Sequence, residues 1–454
     1  MKRIFALLLT VIICLSFASC ENAFTQVEKL MRPPELSGSD KKLQEAFENS
    51  VSEYDNIVLK IPISGKYKSS YILYNIDGKG ADEAIILYSV PAMDYVVFAE
   101  VFKFSDNEWT HVSKISTDSS DIYEVNFADI NGDGFNELLI GWTNQTANND
   151  FTDVDLTLNL SHSLMIYSYD GEKTDVVVTE TYSNIFIKDL NNDNTDEILL
   201  FTNNFSNVEN LTSARFLSYN KDYSVKYDQT TKITGMLEID SISSDRVEKN
   251  GENYSRVFVD GAVNDMEVVT EIIEIRENNF DVSLPLYADN SSYNPTTLRS
   301  GNIYCLDVDG DGIIEIPTLE VMPYSEKKLK DKSTPLNLVI WSEHNDDGFK
   351  VKYKTLVNSK VGHIAFIPDE FIGSVSVIYD EENRNLTFYS VDSEGTISNV
   401  LFSYRIFTIP EWEENTYNYE MIHKNDTYVY AFLIFKADNY DYYKEYITKN
   451  FFAL

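Results

Sequence analysis

Asp129-Ile130-Asn131-Gly132-Asp133-Gly134-Phe135-Asn136-Glu137 is an oxygen-rich run closed by an acid eight residues after its first Asp. It returns as Asp307-Val308-Asp309-Gly310-Asp311-Gly312-Ile313-Ile314-Glu315 and as Asp189-Leu190-Asn191-Asn192-Asp193-Asn194-Thr195-Asp196-Glu197. A worn copy runs Asn75-Ile76-Asp77-Gly78-Lys79-Gly80-Ala81-Asp82-Glu83. Four copies of one loop in one chain make an internal repeat, and a repeat constrains the architecture before any single residue does.

Positions one, three and five of the loop offer hard oxygens: Asp129, Asn131, Asp133; Asp189, Asn191, Asp193; Asp307, Asp309, Asp311. A backbone carbonyl at position seven (Phe135, Thr195, Ile313) and the carboxylate at position nine (Glu137, Glu197, Glu315) would complete a coordination shell. Oxygen ligands in a flexible loop of this size suit Ca²⁺, whereas Zn²⁺ prefers His and Cys. An EF-hand needs its bidentate Glu at position twelve between two helices. Position twelve is Ile140, Leu200 or Thr318, and the flanks Ile122–Phe127 and Leu138–Trp142 alternate like strands. The expectation is a calcium loop inside a β-hairpin. One Asp/Asn/Gly cluster alone reads equally well as an ordinary turn, and it is the repetition with the same acid at position nine that favours calcium. In the worn copy Lys79 puts an ammonium where the ion would sit, so no metal is expected there.

Residues 1–19 read as a signal segment, with Lys2 and Arg3 ahead of an apolar run, Ile4 to Phe17, too short to span a bilayer comfortably. The run ends Phe17-Ala18-Ser19-Cys20, which resembles the lipobox of bacterial lipoproteins. That resemblance implies a diacylglycerylated Cys20 and a chain anchored by lipid on the extracytoplasmic face of a bacterial cell membrane. An ordinary signal peptide that happens to contain a Cys is the competing reading. With Cys14 removed and Cys20 acylated, Cys305 is left alone, so an intramolecular disulfide is excluded and the fold is left to its core and to bound metal. The balance of 73 acidic to 37 basic residues, a formal charge of −36, repels nucleic acid and anionic membrane and favours cations as partners.

Residues 20–51 read as a tether, broken by Pro33-Pro34 and Ser37 to Asp40, with a short helix from Lys41 to Phe47. From residue 52 the pattern turns to strands. Between the loops, apolar runs flank turn-forming tips at Asp106-Asn107, Asp170-Gly171, Lys221-Asp222, Asn278-Asn279 and Asp346-Asp347-Gly348. Loop starts at 75, 129, 189 and 307 lie 54, 60 and 118 residues apart. The last interval is about two periods, and Val257 to Gly261 with Met266 to Ile273 is the decayed unit within it, keeping strands and losing acids. A unit of roughly four strands and fifty-odd residues has the size of one propeller blade.

The Asp-x-Asp-Gly-Asp-Gly-x-x-Glu hairpins resemble the FG-GAP or VCBS repeats of integrin-α-like β-propellers, over roughly residues 55 to 330. The match is specific at Asp129 and Asp307, weaker at Asp189, where Asn194 replaces Gly, and poor at Asn75. The resemblance implies a mainly-β chain: a β-propeller of FG-GAP/VCBS-like blades over residues 52–333 that binds Ca²⁺ and serves as a binding or scaffold module. A small C-terminal α+β domain over 334–454 is expected to follow, with irregular extra blades as the competing reading and a helix near Asp438 to Asn450.

No Gly-x-Ser-x-Gly, phosphate-binding Gly-x-x-x-x-Gly-Lys or His-Glu-x-x-His occurs. The histidines His111, His162, His344, His363 and His423 are scattered, and Trp109, Trp142, Trp341 and Trp412 read as core before they read as a sugar-stacking surface. The first reading is therefore a non-enzymatic lipoprotein presenting a surface to a glycan or protein. An extracellular polysaccharide hydrolase or lyase would need paired acids in a cleft, and an assembly or sensory subunit would dock on a membrane partner.

Overall fold

The computed structural model describes residues 39–143, 161–206, 209–233, 236–249, 251–276, 279–284, 297–321, 333–335, 337–345, 348–358, 363–394, 396–414, 418–435 and 439–453. The signal segment, Cys20 and most of the tether lie outside the described residues, as do parts of the tips at Asn278 and Asp346-Asp347. Strand makes up 59% and helix 9%, so the chain is mainly β. Its sheets are antiparallel and, among the described residues, open. The described residues divide into two compact units, one within 39–182 and the other within 183–453.

The first unit begins with helix α1 (Ser39–Ser50). Leu43 and Phe47, four residues apart on one face, and Val51 just beyond it are buried against a sheet of β1 (Val58–Leu59), β2 (Tyr71–Tyr74), β3 (Glu83–Ser89), β4 (Val96–Ser105) and β5 (Glu108–Asp118). Phe47 meets the Tyr88 ring edge-on at 5.4 Å. β3 is buried on both faces. Ala84, Ile86 and Tyr88 point to the helix, while Ile85 and Leu87 point to a second core with Val125, Leu138, Ile140 and Trp142. That explains its unbroken apolar run. The tip Asp106-Asn107 holds both residues at positive φ, 53° and 65°, the two-residue hairpin turn that its composition predicts. The second sheet is a sequential meander of β6 (Ile122–Ala128), β7 (Glu137–Thr143), β8 (His162–Tyr169) and β9 (Thr174–Tyr182). The segment before β2 ties the two sheets: the Lys60 N–H donates to Leu87 O at 2.9 Å and the Ile63 N–H to Ile122 O at 3.1 Å.

The second unit opens with two more meanders. One is β10 (Asn184–Lys188), β11 (Glu197–Ser206), β12 (Glu209–Tyr219) and β13 (Val225–Ile233); the other is β14 (Glu238–Lys249), β15 (Glu252–Ala262), β16 (Glu267–Arg276) and β17 (Asn279–Leu284), with β18 (Arg299–Ser300) also on β16. Their core joins Leu199, Phe201 and Phe216 to Val257, Val259 and Ile273. The last meander is the unit whose loop acids are lost, and Asp260 has been put to another use. It pairs with Arg299 at 2.8 Å, both side chains fully buried, and also accepts the Cys305 N–H at 2.7 Å. Arg299 donates three further bonds, to Thr270 Oγ1 and to the carbonyls of Thr297 and Ile303, so four of its five N–H groups are paired and the buried charge is well compensated. Burial and the Asp260 charge push the Cys305 thiol well up.

Then come β19 (Ile316–Val321), β20 (Ser333–Pro335), β21 (Asn337–Asn345), β22 (Gly348–Asn358), β23 (His363–Phe366), β24 (Val375–Asp380), β25 (Asn385–Val391), β26 (Ile397–Thr408), helix α2 (Ile409–Glu413), β27 (Glu420–Lys424), β28 (Tyr428–Ile434), helix α3 (Tyr440–Asn450) and β29 (Phe451–Ala453). They form two sheets, β19-β21-β22-β23-β29 and β20-β24-β25-β26-β28-β27. α2 starts at a capping box, in which the Thr408 hydroxyl accepts the Glu411 N–H while the Glu411 carboxylate accepts the Thr408 N–H. α3 lies where the sequence places a helix and buries Tyr443, Tyr446 and Ile447 on one face; Tyr446 donates to Phe366 O at 2.6 Å.

Candidate metal centres

All four loops close in one register. Tyr74 pairs with Glu83, Ala128 with Glu137, Lys188 with Glu197, and Leu306 bridges to Glu315. In each, the residue before position one faces position nine, so the loop is the tip of a hairpin. Positions four and six lie in the left-handed region in every copy: Gly78 and Gly80, Gly132 and Gly134, Asn192 and Asn194, Gly310 and Gly312. The asparagines of the Asp189 loop adopt the same conformation as the glycines, which Asn tolerates better than other side chains. The loss of Gly at Asn194 therefore preserves the turn.

Position one organises the backbone. Asp129 Oδ1 accepts the N–H groups of Gly132 (2.8 Å) and Asp133 (3.2 Å), and Oδ2 that of Gly134 (2.8 Å). Asp307 does the same with Gly310, Asp311 and Gly312 at 2.7, 3.1 and 2.9 Å. Asp189 accepts from Asn192 and Asn194. A carboxylate has roughly four acceptor sites, so at least one remains for a cation.

Position three separates the copies. Asn131 and Asn191 accept the position-five N–H through Oδ1, which turns Nδ2 toward the acid at position five, Asp133 or Asp193. Asp309 uses Oδ1 in the same way and presents an oxygen on its other side, Oδ2, which accepts the Tyr353 hydroxyl at 2.7 Å. Position five in turn accepts the N–H of position seven: Phe135, Thr195 or Ile313.

Position nine has a task that spacing alone does not reveal. Glu83, Glu137, Glu197 and Glu315 are all buried, and each accepts the N–H of position two through Oε2: Ile76 at 2.9 Å, Ile130 at 3.0 Å, Leu190 at 2.8 Å and Val308 at 2.9 Å. Burial pushes the Glu315 and Glu197 carboxyls up to about 7, and the adjacent loop aspartates push the same way. Burial also raises Glu83.

Whether the residues fit an ion is clearest at the Asp307 loop. Asp307, Asp309 and Glu315 each bring an oxygen within 4.8 Å of the others, and so do Asp311, Glu315 and Glu343. Glu315, common to both groups, is 0% exposed, and its Oε1 has no hydrogen-bond partner. An unpaired, fully buried carboxylate oxygen among acids is costly unless a cation meets it. The donor set is all oxygen and suits Ca²⁺.

The loops also reach neighbouring sheets. The position-eight N–H of Asn136 donates to Ile76 O at 3.1 Å, and that of Ile314 to Asp245 Oδ2 at 3.0 Å. Arg246 Nη2 donates to Asp189 O at 3.0 Å. Asp245 is itself buried and paired with Arg256, Nε to Oδ1 at 2.8 Å.

Three lysines from other strands approach the loop acids: Lys103 to Asp77 Oδ2 (3.5 Å), Lys226 to Asp193 Oδ2 (3.0 Å), and Lys352 to both Asp311 Oδ2 (3.5 Å) and Glu343 Oε1 (2.5 Å). The worn loop corrects the expectation for Lys79. Its ammonium lies over the Phe135 ring, 4.5 Å from the centroid, and Lys103 supplies the charge beside Asp77. Glu343, Tyr353 and these three lysines carry no local sequence signal, because each arrives through strand pairing.

Among the described residues, the histidines are not gathered. His162 is buried, stacked on Tyr123 at 3.5 Å, and burial lowers it to about 4. His111 lies 3.5 Å from the buried Glu100. The His363 side chain lies outside the described residues. Trp142 and Trp341 are core residues. Among the described residues, no helix is long and apolar enough to cross a membrane.

No protein-family model matches the chain. Nor does any curated protein. Among solved structures, the chain is matched to the crystal structure of a protein from Lactobacillus plantarum at 10% identity, covering 74% of this chain and 84% of that one, with a TM-score of 0.28. Likeness at that level carries no argument about fold or function.

Proposed function

We propose that the chain is a calcium-stabilised, propeller-type binding or scaffold module, held by lipid on Cys20 at the extracytoplasmic face of a bacterial membrane and presenting a surface to a glycan or protein. The observation that carries the calcium reading is Glu315: fully buried, with Oε1 unpaired, beside Asp307 and Asp309. The blade reading is supported by sequential four-strand meanders, Ile122–Tyr182 and Asn184–Ile233, each with its loop between the first and second strands. Position-eight bonds to a neighbouring sheet give the ion a purpose, since a stiffened loop holds two sheets in register.

A cleft of about 510 Å³ beside the Asp307 loop is lined by Lys352, Tyr353, Lys354, Phe366 and Asp369. It mixes aromatic faces with charge, as a polar ligand requires, and Tyr353 connects it to Asp309. Equilibrium dialysis of the full chain against calcium tests the reading. Bound calcium that falls in Glu315→Gln supports it, and a chain that takes up none at millimolar calcium rejects it. Turnover of a polysaccharide would replace the binding role with a catalytic one.

A further inference from the structure

The lysines on the loop acids follow a pattern. Lys103 is on β4, Lys226 on β13 and Lys352 on β22, each in a strand outside the loop's hairpin but in the same sheet. Each reaches an acid at position three or five. Lys352 goes further, because it joins Asp311 to Glu343, two members of the three-acid group completed by Glu315. The Asp129 loop differs: among the described residues, neither Asp129 nor Asp133 has a lysine or arginine partner.

We propose that Lys352 is a tethered cation for the Asp307 loop, neutralising its acids in the calcium-free protein and leaving Asp311 and Glu343 when calcium enters. The proposal rests on the calcium reading of these loops and adds its regulation. An ammonium on a flexible four-carbon stem, 23% exposed, moves without disturbing its strand. It offers one charge and no fixed geometry, whereas Ca²⁺ offers two charges and takes six to eight oxygens. The lysine therefore keeps the empty loop folded and sets a threshold: calcium must displace a resident charge. Among the described residues, Asp129 and Asp133 face no such lysine, so at those acids calcium has no resident lysine charge to displace. Glu343 becomes a ligand from outside the loop, available only when Lys352 lets go.

Exposed ion pairs often contribute nothing measurable, so the alternative is that Lys352 is idle. Calorimetric titration of the full chain with calcium decides between them, using Asp307→Asn to identify the class of sites belonging to that loop. Lys352→Met is expected to tighten that class about tenfold, the scale of one screened charge near a partly exposed ion, and to lower the melting temperature in chelator while raising it in calcium. Lys352→Arg, which keeps the charge, should leave the affinity near that of the parent. Unchanged affinity and unchanged melting in Lys352→Met, in a protein that does bind calcium, overturns the proposal and leaves the calcium reading standing. Absence of binding in parent and variant alike removes the calcium reading, and the proposal with it.

Discussion

Glu137 Oε2 accepts the Ile130 N–H at 3.0 Å, and the same bond from position nine to position two recurs in the other three loops, the worn one included. A feature kept in the worn loop, where Lys79 stands at position five in place of an acid, belongs to the hairpin itself. Glu137→Ala leaves a buried N–H without a partner and is expected to cost about 1–3 kcal/mol. Glu137→Gln, which keeps an acceptor, should cost less in chelator. Urea unfolding of the two variants checks the order, and equal losses would show that the bond is unimportant.

Asn194 takes a glycine's place at φ 65°. Asn194→Gly is expected to change stability by only a few tenths of a kcal/mol, and Asn194→Ala to lose about 1–2 kcal/mol, the cost of a side chain in the left-handed region. Equal melting temperatures for these variants would contradict the turn geometry.

Arg299 is fully buried and bonds Asp260 at 2.8 Å. Arg299→Ala strands that acid, with an expected loss of about 3–5 kcal/mol. Denaturant titration measures it; a loss below about 1 kcal/mol, the ceiling for an exposed pair, would mean that water reaches Asp260.

His162 keeps its Nδ1 buried and unpaired. Burial lowers it to about 4, below its usual 6.5. Between those values the unfolded chain takes up a proton that the folded chain refuses, so this residue's contribution to stability falls as pH drops from 6.5 toward 4 and levels off below. The effect is on the order of 1 kcal/mol by pH 5, discounted for solvent reaching the ring. His162→Phe should show a shallower fall between pH 7 and pH 5 than the parent. Parallel curves would refute the assignment.

Much of this is readable from local chemistry. The loops, the Asp106-Asn107 tip, α1 and α3 are each specified by residues that touch their own neighbours, so turn preference and helical spacing suffice. What sequence does not reveal is made across strands. Lys352 reaches Asp311 and Glu343 because β21 and β22 pair with Trp341 opposite Tyr353, and no pattern near residue 311 announces it. Asp260 looks like a lost ligand until Arg299, 39 residues on, is brought beside it. Lys79 misleads for the same reason: its position in the loop is visible, while the competing Phe135 ring and Lys103 are not.

The central claim is that calcium holds these hairpins. Scanning calorimetry of the full chain in calcium and in chelator, beside a form carrying Asp129→Ala and Asp307→Ala, tests it most directly. A rise in melting temperature with calcium, lost in the double variant, is expected. A melting temperature that ignores both calcium and the two substitutions would contradict it and leave the loops as acidic turns.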